Sequence, residues 1–282
     1  MIYLNTGSKK PTQEAYKIIM SNDIKIKKRK NCPLCNAENS EISILMHDNW
    51  ELVECSECSF VYMPEVPVYE MMKEEFAWEK NFSPSKDIKL SKKIRRSIKG
   101  LIKRNKLLFL LDKYIKEGQV LDIGCGSGIK FDDIPQKFIP FGIDISEKSA
   151  FEAKTNFEKR GGTAICAPAT DVLKKYGKNK FKGAILRSYL EHEHHPFEVL
   201  DELKETLTSD GSIIIKVPNY ASVNRSVRGK NWCGYRFPDH VNQFTPFTLT
   251  KMVKKAGYKI IKFNYLDKQI TSDNMWMVAQ PI

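Results

Sequence analysis

The 282-residue chain has no apolar run near the ~20 residues that span a bilayer; its longest is Leu107–Leu111. No apolar h-region follows Met1, so no secretory leader is read there. No internal repeat is visible. These absences lead to the expectation of a soluble, cytoplasmic protein. Acid is in deficit, with 34 Asp and Glu against 46 Lys and Arg, for a net charge of +12. The deficit is local. Residues 86–106 hold a dense run of lysines and arginines and a single acid, Asp87, and the rest of the chain is near balance. Such a block suits phosphate, whether of nucleic acid, a nucleotide or an anionic membrane surface. Seven cysteines is an odd number, and a chain of this size without a leader is a poor candidate for a disulfide framework.

Texture divides the chain into four stretches. Residues 1–30 are a polar, basic tail, and 31–66 carry paired cysteines. Residues 67–106 are a connector ending in the basic segment, which reads as helix over 88–116 from the spacing of Ile94, Ile98, Leu101 and Leu111. Residues 107–282 alternate strand and helix. Strands are predicted at Val120–Ile123, Phe141–Ile145, Thr163–Cys166, Gly183–Leu186, Ser212–Val217, Lys259–Tyr265 and Met275–Ala279, with helices at Pro196–Leu207 and Phe247–Ala256. Alternation of this kind builds a parallel sheet covered on both faces. The link Leu266–Asn274 is too short for a helical crossover, so the last strand is expected to run antiparallel. The fold class is therefore α/β, a Rossmann-like, mostly parallel sheet of seven strands with a small cysteine ribbon in front.

The sharpest local signal is Val120-Leu-Asp-Ile-Gly-Cys-Gly-Ser-Gly128. An apolar strand runs into glycines that let the backbone turn tightly and approach a ligand. A dinucleotide fingerprint wants a further glycine where this chain has Ile129. Asp122 would repel a pyrophosphate but attract an ammonium group. Asp144 ends the next strand, where a carboxylate accepts hydrogen bonds from ribose hydroxyls. A ligand with a ribose, a positive charge and no pyrophosphate fits S-adenosylmethionine better than NAD.

With Gly142-Ile-Asp-Ile-Ser146, Leu190-Glu-His192, Asp210-Gly-Ser-Ile-Ile-Ile215 and Pro218-Asn219, the loop resembles the successive motifs of class I S-adenosylmethionine-dependent methyltransferases over residues 107–282. The resemblance implies that Asp122, Gly124 and Gly126 hold the methionine part and Asp144 the ribose. It implies that Cys125, Gly128, Ile145 and Arg187 complete the cofactor set. The adenine is then expected near Pro168–Asp171; Pro168 replaces a common acid there, which leaves Asp171 or backbone amides to serve.

Cys32-Pro-Leu-Cys35 and Cys55-Ser-Glu-Cys58 stand 19 residues apart, within the zinc-ribbon range. Four thiolates close a structural Zn2+ site with no open position. So short a module has little core of its own, and the metal is expected to hold it together. A cysteine ribbon followed by a strand and prolines resembles bacterial methyltransferases linked to surface sugars and small metabolites.

The acceptor side is read from Glu191-His-Glu-His-His-Pro196 and from an insertion, residues 219–245. Glu191, Arg225, Trp232, Tyr235 and Arg236 are candidate substrate residues, since aromatic faces with basic groups suit a sugar phosphate or a nucleobase. His240 is the first candidate for a base and His192 the second, because imidazole is poised near neutral pH; His194 and His195 read as a solvated loop. Glu191 and His192 also match two of the three metal positions of ubiquinone-pathway O-methyltransferases, which implies Mg2+, although Ser188 stands in the third. The expected activity is methyl transfer to a small metabolite, a sugar or glycan precursor, at oxygen. The alternatives are an RNA methyltransferase that grips RNA with the ribbon and basic helix, and an inactive scaffold.

Overall fold

The computed structural model describes residues 25–47, 49–74 and 106–282. Most of the polar tail and the basic stretch 86–105 lie outside the described residues. The ribbon comprises β1 (Ile26–Lys28), β2 (Glu41–His47), β3 (Trp50–Cys55), β4 (Val61–Tyr62) and β5 (Glu65–Pro67), followed by the short helix α1 (Tyr69–Glu74). The described residues continue with α2 (Lys106–Tyr114). Then β6 (Gly118–Ile123), β7 (Phe138–Asp144), α3 (Glu147–Glu158), β8 (Thr163–Cys166), α4 (Val172–Tyr176), β9 (Phe181–Arg187), α5 (Pro196–Thr206) and β10 (Leu207–Pro218) alternate. The insertion contributes α6 (Val223–Arg228) and β11 (Asn242–Gln243). The chain closes with α7 (Pro246–Lys255), β12 (Tyr258–Lys262) and β13 (Asn274–Pro281).

The main sheet has seven strands in the order β12-β13-β10-β9-β6-β7-β8. Strands β6 to β10 pair in parallel, and β13 runs antiparallel to both β10 and β12, as the short link predicted. The central strands are buried along nearly their whole length, because helices cover both faces. Helix starts follow their sequence signals. Ser146 accepts from the Ser149 amide to cap α3, and Thr245 with Thr248 forms a capping box before Pro246 of α7. In α5, Val199, Leu200 and Leu203 face the core. The strand order reverses between β6 and β9, and a crevice opens at that switch point, where ligands of such folds lie.

The ribbon is built into this domain. Its sheet has the order β11-β4-β3-β2, so one strand comes from the insertion. Leu34, Phe60 and Tyr62 belong to the same buried cluster as Leu190, Phe244 and Leu249. The Phe60 and Phe244 rings lie 5.2 Å apart, and Lys255 donates to the Leu34 carbonyl at 2.8 Å. The ribbon, expected to have little core of its own and to be held together by metal, also borrows its core from the larger domain. No helix among the described residues is long and apolar enough to cross a membrane.

Candidate active site

The glycine loop leaves β6 with φ of +67° at Gly124 and +55° at Gly126, the left-handed region that disfavours other residues. A Cβ on Gly124 would come within 2.6 Å of the Tyr189 ring, whereas one on Gly126 would meet nothing within 4 Å. Gly124 is therefore needed for packing, and Gly126 keeps an open approach. The Asp144 carboxylate ties the loop down, accepting from the Gly126 amide at 2.8 Å and the Ser146 amide at 2.9 Å.

A cavity of about 970 Å³ starts at this loop. Gly124, Gly126, Asp144, Ile145, Ala167 and Ala169 form one wall, and Arg187, Lys130 and Lys216 its flank. Four of the expected cofactor residues lie off the wall. Cys125 is buried behind the loop, where a Cβ on Gly142 would meet its Sγ at 2.6 Å. Gly128 packs against Phe157 and Ala153. Asp171 closes a turn at the start of α4, leaving Ala167 and Ala169 on the expected adenine side. Asp122 is buried beneath the loop. Burial pushes its carboxyl up to about 6, against the pull of the Arg187 and Lys130 cations.

The opposite end of the cavity is polar and comes from two segments. Glu191 and His192 follow β9, and Arg236, Asp239 and His240 come from the insertion. His192 Nδ1 lies 2.8 Å from Asp239 Oδ1 and 2.9 Å from the Asp239 carbonyl, and Arg236 donates to the other carboxylate oxygen. His240 Nδ1 lies 2.9 Å from the Gly234 carbonyl. Those partners only accept, so each Nδ1 carries an N–H, and in the neutral ring Nε2 then holds the lone pair. The two rings stand edge to face, 4.6 Å apart. Burial, reinforced by His192 and Arg236, holds His240 well below its ordinary value and so neutral. Burial acts on His192 too, but the Asp239 carboxylate outweighs it and raises His192. Glu191 is buried, which raises its carboxyl, and its Oε2 has no hydrogen-bond partner.

Of the five candidate substrate residues, Glu191 and Arg236 line the cavity. Arg225, Trp232 and Tyr235 do not, a correction to the sequence reading. Arg225 lies over the Tyr220 ring at 4.1 Å and donates to the Tyr220 carbonyl at 2.6 Å. Trp232 is 1% exposed and donates to Asp273 at 2.8 Å. Tyr235 stacks on Phe237 with 5.8 Å between ring centres. These aromatics join Trp50, Leu52, Val61 and Met63 in a core beneath the ribbon sheet, because so much aromatic surface is worth more buried than facing solvent. His194 is buried against Tyr69 and not solvated. Sequence reading missed the Asp239–His192 pair, although Arg236 and Asp239 stand three apart. It also missed the Glu193 carboxylate, which accepts from Tyr69, Tyr189 and the His195 amide. The Asp239–His192 and Tyr69–Glu193 contacts join residues 47 and 124 positions apart, and partners that distant left no local signal.

The four expected metal cysteines converge. Cys32, Cys35, Cys55 and Cys58 have their Sγ atoms within 4.8 Å of one another, with the pairs Cys32–Cys58 and Cys35–Cys55 at 3.5 Å. A tetrahedral zinc with Zn–S of about 2.3 Å needs separations of about 3.8 Å, so the residues fit the ion. Burial pushes the Cys32 thiol up to about 12, so a thiolate there calls for a cation. The Mg2+ arrangement does not fit: Ser188 in its third position accepts from the Lys216 ammonium at 3.0 Å, and that cation occupies the place of a ligand.

A family model described as a methyltransferase domain matches residues 94–262. No curated protein matches the chain. Among solved structures, a magnesium protoporphyrin IX methyltransferase from Synechocystis with bound SAH is similar, with a TM-score of 0.52 and 17% identity over 76% of this chain and 97% of that one. An S-adenosylmethionine-dependent methyltransferase from Clostridium acetobutylicum gives 0.51 and 14% over 68% and 99%. At such identities the likeness concerns the fold alone. The domain match, the strand order and the glycine loop at the switch point together place this chain in the methyltransferase-domain family, as an S-adenosylmethionine-dependent methyltransferase with a four-cysteine ribbon.

Proposed function

We propose that the cavity binds S-adenosylmethionine against the glycine loop and a small hydroxylated acceptor against Glu191, His192 and His240. The acceptor is a sugar or glycan precursor methylated at oxygen, and zinc fills the four-cysteine site. The supporting observation is one continuous cavity with a nucleoside-type wall at one end and a polar, hydrogen-bonded cluster at the other. Its volume of about 970 Å³ is near the top of the ~300–1,000 Å³ range of small-ligand sites, so cofactor and a small acceptor fit together. Bound there, the cofactor supplies an activated methyl group.

The residues of the chain do the rest. Asp144 and the amides it fixes orient the ribose end, and Arg187 and Lys130 offer charge to the methionine carboxylate. Glu191, His192 and His240 hold the acceptor oxygen in line and relieve it of its proton, and orientation of this kind carries much of the rate. The cations Arg187, Lys216 and Arg236 favour an acceptor that also carries negative charge. Incubation with methyl-labelled S-adenosylmethionine and a panel of nucleotide-linked and phosphorylated sugars tests the reading. Label transfer to a sugar, reduced at least tenfold in His192→Ala and His240→Ala, is the expected result. Turnover of RNA and of no sugar would overturn it. RNA is the second reading because a separate groove is edged by Lys27, Lys28, Lys30 and Lys255; a steep fall of binding with salt would mark it.

A further inference from the structure

We infer that Glu191, His192 and His240 form a binding site for a divalent transition-metal ion at the acceptor end of the cavity, separate from the four-cysteine site. The inference deepens the reading of that end as the acceptor site and rests on it for its purpose, but not for its geometry. Each of the three residues offers one donor atom, and these atoms lie within 4.8 Å of one another. A tetrahedral ion with ligands at about 2.1 Å spaces its donors about 3.4 Å apart, so small side-chain rotations close the set.

Three features separate the trio from an ordinary polar cluster. The first is the orphaned oxygen. Glu191 is 1% exposed, and its Oε2 is sealed from solvent without a hydrogen bond. An unsatisfied buried carboxylate oxygen is costly, and a cation is the partner that would offset it. The second is the committed nitrogens. His192 donates from Nδ1 to Asp239, and His240 donates from Nδ1 to Gly234. Metal-ligating histidines are held by such an outer hydrogen bond to a carboxylate or a carbonyl, which turns the other nitrogen to the ion. Asp239 is itself fixed by Arg236. The third is convergence. Glu191 and His192 follow β9, whereas His240 arrives from the insertion, 48 positions later. The Asn242 amide donates to the Glu191 carbonyl at 3.0 Å and locks the two segments together.

Two imidazoles and one carboxylate suit Zn2+, Mn2+, Fe2+ or Co2+ and not Mg2+, which prefers oxygen ligands. Three protein ligands leave positions open, the mark of a site that meets a substrate. An acceptor hydroxyl or enediol in an open position would lose its proton more readily, so the class of acceptor extends to chelating, vicinally hydroxylated molecules.

The test uses the full-length protein with one zinc per chain in its ribbon, confirmed by elemental analysis, titrated with Co2+ alone. The expected result is one additional ion per chain, with visible d–d absorption and without the near-ultraviolet charge transfer of a cobalt thiolate. Glu191→Gln and His240→Gln should each weaken that binding by about 100-fold. Asp239→Asn, which acts through His192, should weaken it by about 10–100-fold. Thermal unfolding verifies that each variant is folded, and Glu191→Gln keeps the size and shape of the native side chain. Absence of a second ion, thiolate charge transfer only, or binding unchanged in both ligand variants would overturn the inference. Titration of the same samples with S-adenosylmethionine separates the two readings. Cofactor binding without a second ion leaves the proposed function standing and removes the metal site; a second ion without cofactor binding does the reverse.

Discussion

Asp144 does two things at once, and its replacement separates them. Its carboxylate accepts from the Gly126 amide at 2.8 Å and the Ser146 amide at 2.9 Å, which pins the glycine loop to the start of α3. The same group is the ribose partner proposed for the cofactor. A hydrogen bond to a charged group is worth about 1.5–3 kcal/mol net. Asp144 is only partly buried, so water can enter and satisfy freed amides, and the lower half of that range applies. With two such bonds lost, Asp144→Ala should then cost about 3–4.5 kcal/mol of stability before any ligand is added. Asp144→Asn keeps one acceptor oxygen but turns an amide NH2 towards a backbone N–H, so it should cost about half as much. Urea unfolding of the cofactor-free protein measures both. Calorimetry should show S-adenosylmethionine affinity falling about 10–100-fold in the alanine variant, the loss of one charged hydrogen bond to ribose. If Asp144→Ala leaves the urea midpoint where it was, the loop is not anchored by this carboxylate and the reasoning fails.

Other outcomes follow from burial and packing. Asp122 has a folded-state value of about 6 against an ordinary 3.8, so the native state binds the extra proton. Stability of the cofactor-free protein should therefore fall by about 3 kcal/mol as pH rises from about 4 to about 6, and Asp122→Asn should lack that slope; parallel urea-midpoint curves for the two proteins would contradict this. Gly124→Ala forces a Cβ to within 2.6 Å of Tyr189 in addition to a left-handed φ, whereas Gly126→Ala meets only the φ cost. Thermal denaturation should show the first losing about 3 kcal/mol and the second about 1. Stripping zinc, or Cys35→Ser, should lower a single cooperative unfolding transition, because Phe60 and Leu34 are part of the main core. Calorimetry showing a separate early transition confined to the ribbon would contradict that shared core.

The sheet was legible because its strands are short apolar runs with helical patterns between them. The length of Leu266–Asn274 even set the direction of the last strand. The glycine loop and Asp144 were legible because a strand, a turn and a spaced acid are local. The cysteine pairs were legible because two short loops carry all four converging thiols. What sequence did not show was which side of the chain each insertion residue faces. Trp232 and Tyr235 read as a sugar platform, yet they fill the space under the ribbon sheet, because the insertion supplies β11 and closes a core that neither segment completes alone. Asp171 read as an adenine contact from its position in a motif, but a turn directs it to α4. The Asp239–His192 pair spans 47 positions, and such pairing has no signature in one sequence.

The most direct measurement is calorimetric titration of the zinc-loaded, full-length protein with S-adenosylmethionine and S-adenosylhomocysteine. One-to-one binding of both in the micromolar range, weakened in Asp144→Ala, is the predicted result. A folded, zinc-loaded protein that binds neither would contradict the cofactor assignment and leave the fold as a scaffold.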